Sequence, residues 1–297
     1  MLPNQQISKE LPDLITLALT EDLGMAHSFC KETGDITSRA FIPAESVSQA
    51  RIVARSACVA SGLDVAIESF NRVDPSLDIT LLCQEGDWLP VGTTLLTISG
   101  STRSILSGER TALNFLGRLC GIATLARCYA EAVQGTGVKL LDTRKTTPGW
   151  RLLEKQAVKA GGCVNHRMGL YDAVLVKDNH LAALGDLSLL PPVIEKIRAE
   201  HPALPIEIEA DTLAQVERLL AMTGLDVILL DNMSCDLMSQ AVSLRNALAP
   251  QVLLEASGGV TLESVPKIAQ TGVDRISVGA LTHSALNADL SLEIESR

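Results

Sequence analysis

Aromatic side chains are scarce in this chain, because Phe, Trp and Tyr together make up only 3% of its 297 residues. Proteins that bind single-stranded nucleic acids stack the bases on aromatic rings, and this chain has few rings to offer. The net charge of −10 also opposes non-specific attraction to nucleic acids and to acidic membrane surfaces. We therefore expect no nucleic-acid partner and no membrane partner.

Cysteine pairs and long apolar runs are missing as well. The seven cysteines are widely spaced, their number is odd and no CxxC occurs, so we expect neither a disulfide framework nor a zinc site. No apolar run is long enough to span a bilayer, and the first residues lack the apolar core of a signal peptide. These features predict a cytoplasmic protein. The sequence also contains no GxGxxG or P-loop, and no Ser-His-Asp signature is visible.

The first half of the chain predicts a mixed α/β unit that ends near residue 100. A long helical pattern follows from about 104 to 133, with Gly108, Gly117 and Gly121 inside it. Because an internal glycine costs about 1 kcal/mol relative to alanine, this pattern fits either two helices with a break or one helix packed closely at its glycines. The elements predicted before it are helices at 8–23 and 63–72 and strands at 50–54, 57–61, 78–82 and 94–99.

The second half alternates short apolar runs with helical stretches. Such alternation predicts parallel strands joined by right-handed crossovers. About 145 residues are too few for a full barrel of roughly 250, so we expect an incomplete α/β barrel, with a doubly wound sheet as the second choice. The strand candidates are 138–142, 173–177, 206–209, 227–231, 252–256 and 275–278. The helix candidates are 152–160, 192–198, 213–221, 235–247 and 262–269.

Polar or glycine-rich residues follow all six of these strands, and functional groups of parallel α/β folds lie at the carboxyl ends of strands. Residues 142–180 hold seven Lys or Arg against four acids in an otherwise acidic chain, which predicts an anion-binding pocket. Glu209 and Asp231 offer the oxygen ligands that suit Mg²⁺. Glycine turns after the last two strands suit a phosphate group. The candidates are the cations Arg144, Lys145, His166, Arg167 and Lys177, the acids Glu209 and Asp231, and the turn residues Ser257, Gly258 and Gly279.

Each candidate also has a plainer interpretation. Lys145 and Lys177 fit surface lysines, and the two acids fit ion-pair partners of those lysines. The glycines fit ordinary turns, and His166 fits a packed core histidine. Trp150, after Pro148 and Gly149, fits a packing residue better than a binding residue.

Seven stretches of the chain resemble the quinolinate phosphoribosyltransferase family, in family order over most of the sequence. They are GERTALNFL (108–116), LLDTRKTTPGWR (140–151), AGGCVNHRMGLYDAVLVKDNH (160–180), EIEA (207–210), LLDN (229–232), EASGGV (255–260) and TGVDRISVGALTHS (271–284). The resemblance implies an N-terminal α/β sandwich domain at 1–115 and an α/β barrel catalytic domain at 116–283, the type II phosphoribosyltransferase fold. It also implies that the tail, 284–297, packs back on the first domain.

The resemblance further implies a magnesium-dependent enzyme of NAD biosynthesis that joins quinolinate to phosphoribosyl pyrophosphate with decarboxylation. It implies a homodimer with shared active sites, in which Arg110 reaches the site of the other subunit. By resemblance, Thr143, Arg144, His166, Arg167 and Lys177 bind substrate. Lys145 lies where the two substrates meet. Glu209 and Asp231 hold the magnesium–phosphoribosyl pyrophosphate complex, and Ser257, Gly258 and Gly279 hold its 5-phosphate.

Two positions depart from the family pattern: Asp178 is shorter than the expected glutamate, and Trp150 is bulkier than expected. Three other functions stay open at this point. One is a molybdenum-transport-associated homologue of the same family, or a phosphoribosyltransferase for another pyridine acid. A second is a Schiff-base aldolase that uses Lys145 or Lys177. The third is a non-catalytic phosphate-binding subunit, which would leave the paired acids unexplained.

Overall fold

The computed structural model describes residues 14–24 and 34–295, and the chain divides into two compact units. The described residues of 1–125, 148–162 and 285–297 form unit 1, and those of 126–147 and 163–284 form unit 2. The domain boundary that we predict after residue 115 stays a prediction. No helix within the described ranges is both long enough and apolar enough to cross a membrane.

Unit 1 is built on a four-stranded antiparallel sheet with strand order β12-β1-β5-β3. These strands are β1 (Val47–Ala54), β3 (Asp78–Leu81), β5 (Thr94–Ser101) and β12 (Leu290–Ile294), and β2 (Cys58–Val59) pairs separately with β4 (Trp88–Leu89). The helices are α1 (14–22), α2 (Ile36–Phe41), α3 (Leu63–Val73) and α5 (Arg151–Ala160). The predicted strands and the helix at 63–72 are confirmed to within a few residues. Of the helix predicted at 8–23, residues 14–22 are helical, and 8–13 lie outside the described residues.

The long pattern after residue 100 forms one helix, α4 (Thr102–Ala132), so the interpretation as two helices is wrong. Its glycines lie where other segments of unit 1 approach the helix axis. A Cβ at Gly121 would lie 1.9 Å from the carbonyl oxygen of Leu286, and one at Gly117 would lie 3.2 Å from that of Ala288. Close packing of the backbone against the helix therefore explains both glycines.

Unit 2 contains a six-stranded parallel sheet with strand order β6-β11-β10-β9-β8-β7. Strands β7 to β11 are neighbours in chain order, and β6 lies beside β11. This singly wound order is that of a barrel left open between β6 and β7, so the incomplete barrel is confirmed and the doubly wound sheet is wrong. The strands are β6 (Lys139–Leu141), β7 (Val174–Val176), β8 (Ile206–Ala210), β9 (Val227–Asp231), β10 (Leu253–Ser257) and β11 (Arg275–Ser277).

Helices connect the strands of unit 2 as βαβ crossovers. They are α6 (Asp178–Leu184), α7 (Leu190–Glu200), α8 (Leu213–Leu220), α9 (Cys235–Leu248) and α10 (Val265–Ala269), with a 3₁₀ turn at Leu187–Leu189. A further helix, α11 (Ala280–His283), follows β11, the last strand of this sheet. The sequence did not predict α6 or α11, because both are short and begin close to the end of a strand. Their positions matter, because only one or two residues separate the carboxyl ends of β7 and β11 from the helices that follow.

Two strands begin with the same arginine–aspartate arrangement. Asp274, just before β11, accepts hydrogen bonds from Arg245 of α9 at 2.6 Å and from the backbone N–H of Leu254 at 2.8 Å. Asp226, just before β9, likewise accepts hydrogen bonds from Arg198 of α7 and from the backbone N–H of Ile206. These contacts tie each helix to the amino ends of two strands, the side of such folds that serves stability.

The contact at Gly121 predicts a destabilised variant. Gly121→Ala gains helix propensity of about 1 kcal/mol, but its methyl group overlaps a backbone carbonyl that cannot move independently. We expect a net loss of about 1–3 kcal/mol in the free energy of unfolding, measured in urea. Asn114→Ala, on an exposed position of the same helix, is the control and should be neutral or slightly stabilising. Equal stability of both variants would contradict this account of the packing.

Candidate active site

Alternation along the strands of unit 2 places a set of polar side chains on one face of the sheet. Successive side chains of a strand point to opposite faces, so Glu207 and Glu209 of β8 share a face. Glu255 and Ser257 of β10 share a face in the same way. Ser257 pairs with Asp231 in the ladder between β10 and β9, so the carboxyl ends of these strands lie side by side.

A cavity of about 310 Å³ opens at this end of the sheet. Its lining includes seven of the predicted site residues together with two apolar residues, a buried acid and a serine. The lining residues are Thr143, Arg144, Lys145, His166, Arg167, Leu175, Lys177, Leu229, Glu255, Ser257 and Ser277. The structure thus brings together side chains that lie up to 134 positions apart in the chain.

Cations crowd one another in this cavity. Burial lowers the pKa of Arg167, and the nearby positive charge of Arg144 lowers it further. Arg167 also donates from Nη1 to the carbonyl oxygen of Ala173 at 3.1 Å, which fixes the direction of its guanidinium. Two like charges held close together are stabilised by an anion between them, so the cavity is suited to carboxylate or phosphate groups.

The backbone around Lys145 is fixed by two hydroxyl groups. The N–H of Lys145 donates to Thr143 Oγ1 at 3.0 Å, and its carbonyl oxygen accepts from Thr282 Oγ1 at 2.7 Å. The side chain of Lys145 then passes close to Gly279, where a Cβ would lie 3.0 Å from Lys145 Cδ and 3.1 Å from His283 Nε2. Glycine at 279 therefore leaves room for the lysine and for His283.

His166 lies between two buried carboxylates that we did not predict as site residues. Its Nε2 lies 3.1 Å from Glu207 Oε2 and 3.3 Å from Glu255 Oε1, and both acids are almost fully buried. Burial alone would lower the pKa of His166, but hydrogen bonds and negative charge from the two acids outweigh it and raise the pKa to about 9. The N–H of Arg167 points at Nδ1 of the ring at 2.7 Å, a contact that favours the neutral ring. The carboxylates dominate, because two buried charges outweigh one peptide dipole.

A second group of acids lies beyond the first along the strands. Carboxylate oxygens of Glu209, Asp211 and Asp231 lie within 4.8 Å of one another. Burial raises the pKa of Glu209, Lys177 opposes the shift and Asp231 adds to it. Lys177 Nζ lies 3.6 Å from Glu209 Oε2. Three converging carboxylates fit a hard divalent cation such as Mg²⁺, which would offset their mutual repulsion.

Asp211, Glu207 and Glu255 were not predicted as site residues, although the sequence contained a signal for them. Glu207 is two positions before Glu209, Asp211 is two after it, and Glu255 is two before Ser257. The period of two in a strand would have assigned each of them to the face that carries the predicted site.

The remaining predicted residues lie as follows. Gly258 and Gly259 form a turn after β10 with φ of 96° and 57°, a conformation that favours glycine. Arg110 lies on α4 in unit 1, and its side chain is 65% exposed. Trp150 stacks on Phe115 with ring centroids 4.6 Å apart, which confirms its role as a packing residue. Asp178 is the first residue of α6, and its carboxylate accepts from the N–H of Asn179.

Comparison with known proteins identifies one family over most of the chain. Residues 35–120 match the model of the quinolinate phosphoribosyl transferase N-terminal domain, and residues 122–293 match that of its C-terminal domain. The nicotinate-nucleotide pyrophosphorylase (carboxylating) of Mycobacterium leprae is 42% identical over 95% of this chain and 96% of its own length. The probable enzyme of the same name from Bacillus subtilis is 39% identical over 96% and 93%.

Solved structures give the same result. The nicotinate-nucleotide pyrophosphorylase of Francisella tularensis superposes with a TM-score of 0.87 at 34% identity, covering 99% of this chain and 98% of that one. The enzyme of the same name from Ehrlichia chaffeensis superposes with a TM-score of 0.86 at 37% identity, covering 96% and 98%.

The raised pKa of His166 predicts how stability depends on pH. A group whose pKa is higher in the folded than in the unfolded protein stabilises the fold at pH values below its unfolded pKa. For His166 the unfolded pKa is near 6.5, and the added stability is lost as pH rises through about 9. His166→Gln removes this contribution. We therefore expect the wild type to lose stability relative to His166→Gln between pH 6 and pH 9.5, measured by urea unfolding at each pH. A difference that stays constant with pH would contradict the prediction.

Proposed function

We propose that this chain, which belongs to the quinolinate phosphoribosyl transferase family, transfers the phosphoribosyl group of phosphoribosyl pyrophosphate to quinolinate and releases carbon dioxide and pyrophosphate. The product is nicotinate mononucleotide, and the pathway is the de novo synthesis of NAD. The relatives from Mycobacterium leprae and Bacillus subtilis are named as a nicotinate-nucleotide pyrophosphorylase (carboxylating) and a probable one, and the structure from Francisella tularensis is named as a nicotinate-nucleotide pyrophosphorylase. These names support the proposed reaction. We place the reaction in the cytoplasm, on the basis of the sequence features given above.

One observation carries the choice of substrate: Arg144, Lys145, Arg167 and Lys177 converge on a single cavity that also contains apolar walls. Quinolinate is a flat pyridine ring with two adjacent carboxylates, so it needs several cations and an apolar surface together. Leu175 and Leu229 supply the apolar surface. Burial and the charge of Arg144 lower the pKa of Arg167, so positive charge is concentrated in this cavity. A site that binds a dianion is expected to have this property.

The chemistry needs positioning and charge rather than a nucleophilic side chain. As the bond between ribose C1 and pyrophosphate breaks, positive charge develops on the sugar, and the pyridine nitrogen forms the new bond to C1 without a base. The pyridinium then accepts the electron pair left when the C2 carboxylate departs as carbon dioxide, and C2 takes a proton from solvent. Lys145 and the two arginines favour this course by holding both anionic substrates in reacting distance.

We infer that Glu209 and Asp231 hold Mg²⁺, with Asp211 as a third acid beside them. The support is the convergence of their oxygens within 4.8 Å and the raised pKa of Glu209, which arises from burial and from Asp231 against the opposing effect of Lys177. When bound, Mg²⁺ would neutralise charge on the departing pyrophosphate. Lys177 would orient Glu209 through their contact at 3.6 Å.

We also infer a homodimer in which Arg110 of one subunit completes the site of the other. The support is that Arg110 is well exposed and that its ion-pair contact among residues 14–24 and 34–295 is a long one, to its neighbour Glu109 at 3.9 Å. An arginine with no strong partner among those residues is available to bind an anionic substrate across an interface.

The alternatives receive less support. A Schiff-base lysine needs a dry pocket, whereas the side chain of Lys177 is 50% exposed and pairs with Glu209. The molybdenum-transport homologue shares the fold, but the relatives described above carry the name of the pyridine-nucleotide enzyme. The three converging acids also oppose a non-catalytic phosphate-binding protein.

A single assay tests the proposal. We expect nicotinate mononucleotide and carbon dioxide to form only when quinolinate, phosphoribosyl pyrophosphate and Mg²⁺ are all present, as followed by chromatography and trapped carbon dioxide. Lys145→Ala should fold normally and lose about 100-fold or more of the turnover, because it removes a charge where the substrates meet. Lys139→Ala, at the opposite end of the sheet, is the matched control. Turnover with nicotinate but not with quinolinate would show that quinolinate is not the substrate.

Mixing two inactive variants tests the shared site. Arg110→Ala and Lys145→Ala should each be inactive, but a hybrid dimer would contain one site with both native residues. We expect up to about a quarter of wild-type activity after the subunits exchange at equal amounts, from one active site in the half of the dimers that are hybrid. Subunit exchange is verified independently with differently tagged chains. Exchange without recovered activity would place Arg110 in the site of its own chain or outside the site.

A further inference from the structure

The end of β9 contains an unusual backbone conformation. Asn232 has φ of 51°, and no other non-glycine residue in the described ranges has positive φ. Asparagine tolerates this left-handed conformation better than most residues, but the conformation is still costly and persists where surrounding contacts enforce it. One such contact is the hydrogen bond that the backbone N–H of Asn232 donates to the carbonyl oxygen of Ser257 at 2.9 Å.

The side-chain amide of Asn232 has a different neighbour on each side. Its Nδ2 donates to Asp231 Oδ2 at 2.6 Å, which holds the carboxylate of Asp231 in one orientation. Its Oδ1 occupies the space beside Gly258, where an added Cβ would lie only 2.2 Å away. The absence of a side chain at 258 is therefore explained by the amide of Asn232, in addition to the positive φ of Gly258 itself.

We propose that Asn232 is a positioning residue that joins the Asp231 carboxylate to the turn of residues 257–259. The inference rests on the proposed function, in which Asp231 faces the metal-bound pyrophosphate and the turn faces the 5-phosphate of the same substrate. One rigid amide then fixes the distance between the two anion-binding ends of the phosphoribosyl donor site. A catalytic site tolerates errors of only about 0.5 Å in the positions of its groups. A bridge of this kind serves that accuracy, whereas packing of the core does not require it.

The decisive variant is Asn232→Gly. Glycine adopts a φ of 51° without strain, so the backbone and the melting temperature should stay close to those of the wild type, while the amide is lost. Calorimetry should show binding of phosphoribosyl pyrophosphate with Mg²⁺ weakened about tenfold, the loss expected for one hydrogen bond to a charged group. Ribose 5-phosphate without metal probes the turn alone, and its binding should also weaken. Quinolinate affinity should change less than twofold.

Two further variants complete the test. Asn232→Asp keeps the shape and the tolerance of positive φ but cannot donate to Asp231, so it should weaken donor binding at least as much as Asn232→Gly. Asn246→Asp makes the same chemical change on an exposed position of α9 and should bind as the wild type.

Each result decides the proposal. Wild-type affinity of Asn232→Gly and Asn232→Asp for both probes would overturn it, as would weakening confined to the metal-bound probe, since the turn would then be independent of Asn232. If Asn232→Gly fails to fold, the comparison of Asn232→Asp with Asn246→Asp decides in the same way. Failure of the proposed function would appear separately, as absence of turnover by the wild type with quinolinate.

Discussion

The site in unit 2 depends on the attraction between His166 and the buried carboxylates of Glu207 and Glu255, which lie 3.1 and 3.3 Å from its Nε2. An unpaired buried carboxylate costs several kcal/mol, and three of the four carboxylate oxygens have no hydrogen-bond partner among the described residues. Arg275 adds positive charge 3.6 Å from Glu255, but that distance is too long for a hydrogen bond. Positive charge on the imidazole therefore compensates two acids at once, and this is why the pKa of His166 rises despite its burial.

The same interaction fixes the segment that carries the substrate-binding cations. The N–H of His166 donates to the buried carboxylate of Asp142 at 2.8 Å, and Asp172 accepts from the N–H groups of Met168 and Gly169. With the ring held between two acids and the backbone held by two more, the segment has little freedom. Arg167 follows directly, so its guanidinium is directed by interactions that form before any substrate binds. A preorganised cation loses less entropy on binding an anion than a mobile one does.

Much of this arrangement could be predicted from the sequence, because parallel strands place their carboxyl ends together. The endings LLDTRK, LVKDNH and EASGG marked the position of the site without any knowledge of the distances between them. The buried acids were not predicted, because residue type suggests exposure for glutamate and only the strand period indicates an inward position. The sequence could not show either whether Gly121 marks a break in the helix or a close packing contact. The carbonyl group that packs against Gly121 belongs to Leu286, which lies 165 positions later in the chain.

Charge of both signs in one small region is explained by the order of the groups along the strands. Glu207 is matched by His166, and Glu209, two positions nearer the carboxyl end, is matched by Lys177. A cavity lined only by Arg144, Lys145, Arg167 and Lys177 would be destabilised by repulsion whenever no substrate was bound. Glu207 and Glu209, one strand period apart, reduce that repulsion, and neither of them is among the residues that line the cavity. The folded chain can therefore keep its cations close together without neutralising them, which is the condition for binding two polyanionic substrates next to each other.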